Sequence, residues 1–416
     1  MNPIPNNKTE SYRIKVLLII ILAFLILTYL HSVVKTSIVE PNFADFAHYY
    51  FYSKQLSEGV DIYSLTNTKL EHLMQKSSIP VNIHITGGVI YSPIFFFLMS
   101  PFTYLSFWSA NIIWLLINHI ALIACLWFSA RIINLKTQNH FVTLSILGVV
   151  FFASQPLLEN VEIGQCNILI LLPLILICHF QQHGKQHYLT GAFLGFILLL
   201  KPQFGLLLLF FLLKRDFVFC ISALIAYIAL RTIGVITCGF HIEVSYWQNL
   251  SNNLSNLSNS IDAINLSLKE VFNRLFFEFL LHRYTTFFYI ASSLIICFIT
   301  FLCTFRDKGR NFLAEYSSII CLILLVSPLT EEHHLILTSL PIIIAICNLN
   351  QNRTTTVLVI LSFLLIAVRY SLISFSFFDT GIPSILHFGK TAGVFLLWYV
   401  FIRHMSSARN NNNITQ

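Results

Sequence analysis

Charge is scarce in this sequence. Of 416 residues only 18 are acidic and 25 are Lys or Arg, 10% in all, against about a quarter in an ordinary soluble domain. So few ions cannot cover a water-facing surface, and the 56% hydrophobic content and mean hydropathy of +0.74 exclude a soluble globular protein. Paired cysteines are lacking too. All nine cysteines, from Cys125 to Cys347, fall in apolar runs without CxxC or paired-loop spacing, which excludes a disulfide framework and a zinc cluster and leaves small core hydrophobes. No repeat of solenoid period and no inverted symmetry between the halves is visible. No A-x-A cleavage site follows the first apolar run, 14 to 34, which is also longer than the core of a signal peptide. It reads as a retained span.

What is there in quantity is apolar sequence in lengths that fit a bilayer. A crossing needs roughly 20 predominantly apolar residues, and runs of that kind lie near 14 to 34, 91 to 107, 109 to 130, 141 to 158, 166 to 180, 189 to 213, 216 to 236, 285 to 305, 313 to 329, 333 to 349, 355 to 376 and 386 to 403. The expectation is an all-α polytopic membrane protein of about 12 transmembrane helices, a single domain over residues 1–416. Residues 91 to 107 make a short span, and Lys201-Pro202 interrupts 189 to 213, which reads either as one span or as two half-helices.

The net charge of +7 would suggest an anionic partner in a soluble protein, but here Lys and Arg cluster in short loops. That is the positive-inside pattern, and nucleic acid is not an expected partner. With residues 1–13 and 404–416 as cytoplasmic tails, Lys214-Arg215, Arg306, Lys308, Arg310 and Arg353 fall inside. Arg131 and Lys136 fall outside, against the pattern. Two outer loops, 35–90 and 240–284, are too long for simple connections and read as carrying interfacial helices over a cavity.

The first outer loop contains FADFAHYYFYSKQLSEGVDIY, from Phe43 to Tyr63, followed by YSPIFFFLMSPF from Tyr91. Further on come GQCN at Gly164 to Asn167, GAFLGFILLLKPQ ending in Lys201-Pro202-Gln203, INLSLKEVFNRL from Ile264, and SPLTEEHH at Ser327 to His334. Each string is weak alone, but their order across most of the chain resembles glycosyltransferase family 87, the polyprenol-phosphate-mannose-dependent mannosyltransferases. The sequence departs from the family's pattern in SPLTEEHH, where Glu331 stands in place of an aromatic residue.

The resemblance implies a GT-C fold and transfer of a mannosyl residue, inverting, from a polyprenyl-phosphate sugar donor to a glycolipid or glycan acceptor. It places the active site on the outer face of a cell membrane, with a bacterial inner membrane as the setting. The chemistry of the residues fits. An acceptor hydroxyl is a poor nucleophile, so a carboxylate near the anomeric carbon can take its proton, and Asp45 is the candidate. The alternative reading is a helix cap or a solvated loop acid. The phosphate leaving group needs fixed cations, for which Lys201, Arg231 and Arg274 stand as candidates. Lys201 in mid-run points to a cavity or to snorkelling. Arg274 rests on the family match and Arg231 on its depth, and Arg231 also reads as a span's end.

His333 and His334 can donate to phosphate or relay a proton, or form an interfacial pair without a chemical role. Neighbouring histidines point to different helix faces, which favours one of them, His334. Tyr49, Gln165 and Asn265 complete the set of substrate-binding candidates, with Gln165 and Asn167 able to bond sugar hydroxyls or pair backbone in a buried turn. GQCN nonetheless falls on the inner side by the twelve-span count. The residues require no cofactor and no metal. The competing reading is a lipid or sugar transporter or flippase, since mid-membrane charges and broken helices also suit substrate pathways.

Overall fold

The computed structural model describes residues 7–35, 43–77, 79, 89–133, 140–184, 186–256, 264–276, 284–307, 311–349, 352–368 and 381–413. The secondary structure among these residues is entirely helical, with no strand. The expected span at 355 to 376 and the expected outer loops 35–90 and 240–284 lie in part outside the described residues.

Helix α1 (Asn7–Val34) starts earlier than its apolar run and carries a 20-residue apolar stretch, Lys15–Val34. Near its C-terminus Ser32 Oγ donates to Glu162 at 3.0 Å. That end of the molecule is termed the upper end. There the chain forms α2 (Ala44–Ser57) and α3 (Asn67–Gln75), both within the first long loop.

The next apolar run does not cross. Helix α4 (Pro93–Met99) has seven residues, about 10 Å at 1.5 Å per residue. Ser100-Pro101 then turns it into a 3-10 segment, Ser100–Tyr104, because proline has no N–H to continue the ladder. The segment begins beside Tyr91, which contacts Gln165. It ends at Leu105, whose carbonyl accepts from the Tyr50 hydroxyl at 2.9 Å. Both ends lie against the α2 region at the upper end.

Helix α5 (Phe107–Ile133) descends to the lower end, and α6 (His140–Phe152) with α7 (Gln155–Glu162) returns as a pair bent by 56°. Helix α8 (Asn167–Gln182) descends again, and the ring of His179 lies 5.7 Å from Phe128 near the foot of α5. Helix α9 (His187–Leu200) then climbs to Lys201. Pro202 stops it, a 3-10 turn over Pro202–Phe204 reverses the chain, and α10 (Gly205–Leu213) goes back down. At the foot, His187 Nδ1 lies 2.6 Å from Asp216 Oδ2. The run expected as one span, 189 to 213, is therefore a helical hairpin with Lys201 at its apex.

Helix α11 (Phe217–Cys238) starts at Asp216, whose Oδ1 accepts the N–H of Phe219 at 3.1 Å. It runs parallel to α9, and the contact is backbone to backbone: a Cβ on Gly191 or Gly195 would collide with the carbonyls of Phe219 and Ala223. Small residues four apart allow that approach, as between helices in membranes.

One crossing fewer at 91 to 107 and one more at 187–213 leave the downstream order of ends unchanged. They move Arg131 to the lower end and Gly164 to Asn167 to the upper one, and so remove both conflicts in the sequence-based topology. The second long loop supplies α12 (Phe240–Asn256) and α13 (Leu268–Phe276) at the upper end. Helix α14 (Thr285–Asp307) descends and α15 (Phe312–Val326) ascends. A 3-10 segment, Glu332–Thr338, leads into α16 (Ser339–Asn348), followed by α17 (Arg353–Ala367) and α18 (Gly389–Asn413). At the lower end Lys214 Nζ meets Glu315 Oε2 at 2.5 Å and Asn311 Nδ2 lies 2.6 Å from His404 Nε2. Helices α8, α15 and α16 are buried along most of their length and form the centre, as befits helices apolar on every face.

Among the described residues five helical stretches are long and apolar enough to cross a membrane, in α1, α5, α11, α14 and Ile382–Ser407, and six if the bent α6–α7 pair is one span. Shorter apolar helices fill the remaining runs.

Candidate active site

The site is built on a loop seated under the N-terminus of α2. The carbonyl of Ile163 accepts the N–H groups of Asp45 at 3.0 Å and Phe46 at 3.2 Å, donors that a helix's own first turn leaves unmatched. Gly164 sits at φ +73°, and a Cβ there would stand 2.6 Å from that of Phe46, so both the backbone conformation and the closeness of α2 require glycine. Trp114 Nε1 donates to the Gly164 carbonyl at 2.7 Å, and Asn160 holds Gln165 through its main chain at 2.8 Å and its side chain at 3.2 Å. Asp45 is thereby fixed in the first turn of α2.

The side chain of Gln165 joins Asp45 to a tyrosine pair. Its Oε1 faces the hydroxyls of Tyr49 at 2.8 Å and Tyr91 at 3.2 Å and the N–H of Cys166 at 3.1 Å. Its amide lies within electrostatic reach of the Asp45 carboxylate. Burial pushes the Asp45 carboxyl above its ordinary value, while His48, the Gln165 amide and Lys201 pull it back. Burial likewise pushes the hydroxyls of Tyr49 and Tyr91 well up, so both remain protonated donors.

Lys201 comes to this group from the hairpin apex. Its residue is 6% exposed and its Nζ, although buried, has no hydrogen-bond partner among the described residues. Asp45, Cys166 and Glu331 lie within electrostatic reach of it. Its charge also acts on His333 and His334, whose rings are 4.4 Å apart and nearly perpendicular.

Glu331, the departure from the family pattern, forms a reciprocal cap with His334: its side chain accepts the His334 N–H, and its own N–H donates to His334 Nδ1 at 3.1 Å. A backbone N–H can only donate, so the neutral imidazole keeps its proton on Nε2, free to donate elsewhere. Glu331 Oε2 also lies 3.6 Å from His333 Nε2. Asn167 ties the two loops together, donating to the His333 carbonyl at 3.3 Å.

The other candidates lie apart from this group. Arg231 pairs with Glu243 and stacks between Tyr246 and Trp247, 4.8 Å from each ring, clamping α11 to α12. Arg274 Nε donates to Glu270 Oε1 at 3.2 Å inside α13, where Asn273 holds the other carboxylate oxygen at 3.1 Å. Asn265 is a staple for the SPLTEEHH loop: Nδ2 donates to Pro328 O at 3.1 Å, and Oδ1 accepts from Ser267 N at 3.0 Å and Thr330 N at 3.1 Å. Sequence reasoning missed Tyr91, present in YSPIFFF without a side chain that advertises a partner. It also missed Lys390, which is buried, donates to the carbonyls of Ile366 at 2.8 Å and Val368 at 2.9 Å, and forms an ion pair with Glu332 at 2.7 Å.

A helical, apolar chain that brings a carboxylate, a lysine and two histidines together at one end of its bundle has the makings of a membrane protein with a buried polar cluster. Glycosyltransferase family 87 matches this chain over residues 90–328, more than half of it. The chain belongs to glycosyltransferase family 87. Neither the curated proteins nor the solved structures provide a match. The matched stretch contains Gln165 and Lys201, and the fold adds Asp45, Tyr49, His333 and His334 from either side of it.

Proposed function

We propose that this glycosyltransferase moves a mannosyl residue from a polyprenyl-phosphate donor to a lipid-linked or surface glycan acceptor, inverting the anomeric centre, at the outer face of the cell membrane. The observation that carries the reading is the buried ammonium of Lys201, unpartnered and within electrostatic reach of Asp45 and the histidine pair. A cation left without a partner in so apolar a place costs free energy unless an anion visits it. A lipid phosphate is such an anion.

In this reading Asp45 takes the proton of the acceptor hydroxyl as its oxygen attacks the anomeric carbon. The bond from that carbon to the phosphate oxygen breaks with the electron pair going to the phosphate. Lys201 and the Nε2–H of His334 stabilise the developing charge. Counting the short helices and both arms of the hairpin gives twelve passes. The lower end then carries Arg131, Lys214, Arg215, Arg306, Arg353 and Arg403, and the positive-inside rule favours that end in the cytoplasm. The helices α2, α3, α12 and α13 fit interfacial positions around the mouth of the site.

The test uses purified full-length protein in lipid nanodiscs with radiolabelled polyprenyl-phosphate mannose and a membrane lipid extract as acceptor source. Wild type should release polyprenyl phosphate and label an acceptor. Asp45→Asn should bind the donor and transfer nothing. Movement of intact donor across a vesicle membrane, without transfer, would replace this reading with transport.

A further inference from the structure

We propose that Lys390 is a positioning residue for the histidine pair: its ammonium, fixed on the end of α17, holds Glu332 at 2.7 Å and so sets where the segment beginning Glu332-His333-His334 sits. The inference rests on His334 stabilising the leaving phosphate in the proposed reaction.

The chain of contacts starts between two helices. Helices α17 and α18 approach closely at Gly393, where a Cβ would stand 2.8 Å from Ile366 Cγ1, and Ser362 Oγ donates to the Gly393 carbonyl at 2.6 Å. In the first turn of α18, Lys390 is 2% exposed, and its Nζ donates to the carbonyls of Ile366 at 2.8 Å and Val368 at 2.9 Å. The last carbonyls of a helix have no partner within it, and a cation there also meets the negative end of the helix dipole. A flexible lysine chain is thereby held at its tip. That tip forms the ion pair with Glu332.

The neighbouring residue reaches the same loop by a second route. Thr391 Oγ1 donates to the Leu266 carbonyl at 2.5 Å, and the Leu266 N–H donates to the Thr330 carbonyl at 2.6 Å. The first turn of α18 therefore secures the loop on both sides of Glu331, at Thr330 and at Glu332. Glu331 itself donates its N–H to His334 Nδ1 at 3.1 Å. That cap is internal to the loop and cannot place it against the bundle, whereas Lys390 can. The placement matters because Glu332–Thr338 is a 3-10 segment, whose hydrogen bonds are poorer than those of an α-helix and hold its start less firmly.

Two measurements on full-length protein in nanodiscs test this, and the first needs no substrate. Nitrogen-15 NMR of labelled histidines reads the tautomer of His334, its signals assigned by their loss in His334→Asn. Wild type should show a single tautomer with the proton on Nε2, and Lys390→Met a mixture. The double variant Lys390→Met with Glu332→Met removes the carboxylate left without its ion pair but restores no tether. It should regain thermal stability and keep the mixture, and it carries both measurements if Lys390→Met alone does not fold. The second measurement is transfer. Lys390→Met should lower kcat about 10-fold, the scale of a small misplacement of a catalytic group, with a lesser change in KM for the donor. In a His334→Asn background the same substitution should lower kcat no further. A single unchanged tautomer in the folded variants, or an equal loss of kcat with and without His334, overturns the positioning role. Full transfer by His334→Asn overturns instead the role given to that histidine, and no transfer by wild type overturns the proposed function. In both of those cases the tautomer still decides whether Lys390 positions the pair.

Discussion

His187 and Asp216, 29 residues apart, stand 2.6 Å from each other at the lower end of the bundle, and between them the chain has climbed to Lys201 and returned. The pair closes the α9–α10 hairpin, while the glycine contacts of α9 with α11 hold its ascending arm in place. An apolar stretch long enough to be one crossing is folded in two because Lys201-Pro202 sits in its middle. The break that looks like a flaw in a span is what brings an ammonium to the candidate site beside Asp45 and the histidine pair.

Removing that ammonium should damage chemistry and spare the fold. Lys201→Met is expected to lower turnover on the order of 100-fold through lost stabilisation of the leaving phosphate. Its thermal stability in detergent should stay at or above wild type, since an unpartnered buried charge stabilises nothing. Arg274→Met should do the reverse: it leaves the Glu270 carboxylate buried without its ion pair, which costs about 3 kcal/mol. Arg353→Ala, at the lower end, should change neither. Full turnover in Lys201→Met would move the phosphate site elsewhere.

The order of ends makes a labelling prediction. Cysteines placed at Arg131, Arg215 and Arg353, read over the native thiols, should react with an impermeant maleimide from one side of the membrane. A cysteine at the exposed Ser57 should react from the other. Arg131 is the informative position, because the twelve-span count from sequence alone puts it with Ser57. Labelling of Arg131 together with Ser57 would restore residues 91 to 107 as a crossing.

The all-helical class and the family were legible in apolar run lengths and in the order of the short motifs. The positions of the turns were not. Hydropathy cannot tell a seven-residue helix ended by Pro101 from a crossing, nor a hairpin from a kinked span, because both are equally apolar. Lys201 was visible as a charge in the middle of an apolar run, whereas Asp45 and the histidines were singled out by position and by the family resemblance. Arg231 and Arg274 looked the same to the sequence, because their partners Glu243 and Glu270 declare themselves only in three dimensions. The conflict over GQCN, a polar loop counted onto the wrong side, was the signal that one turn had been misread.

Gly164→Ala tests the seat of α2. The left-handed backbone alone costs a non-glycine residue of order 1–3 kcal/mol, and the new methyl meets the Phe46 Cβ at 2.6 Å. Because Ile163 and Gly164 anchor the first turn of α2, the expected result is a lower unfolding temperature with a disproportionate loss of transfer, as Asp45 leaves its place. Gly184→Ala is the control: it shares a positive φ but has open space around it, so it should cost stability and leave transfer per folded molecule unchanged.

The pH profile separates the loop carboxylates by what each holds. Burial raises the folded-state value of Asp45 above that of an ordinary carboxylate, and a base works only when ionised. Transfer should therefore be complete on the alkaline side of that raised value and fall as pH drops through it, at a higher pH than a solvated aspartate would give. Raising the pH cannot rescue Asp45→Asn, since no carboxylate remains to be ionised. Asp61 is occupied otherwise: Oδ1 accepts from Tyr63 N at 3.0 Å and Oδ2 from Ser245 Oγ at 2.7 Å, which joins the first long loop to α12. Asp61→Asn keeps an acceptor for the turn and should lower stability while leaving the acid limb where it was. Glu58, bonded only weakly to Gln55 at 3.3 Å, should tolerate Gln with no change in profile. Rate measured against pH for the three variants decides among them. If Asp61→Asn abolished the limb while Asp45→Asn kept it, the base would be Asp61, and the Ser245 contact would be a resting-state lock that the acceptor has to displace.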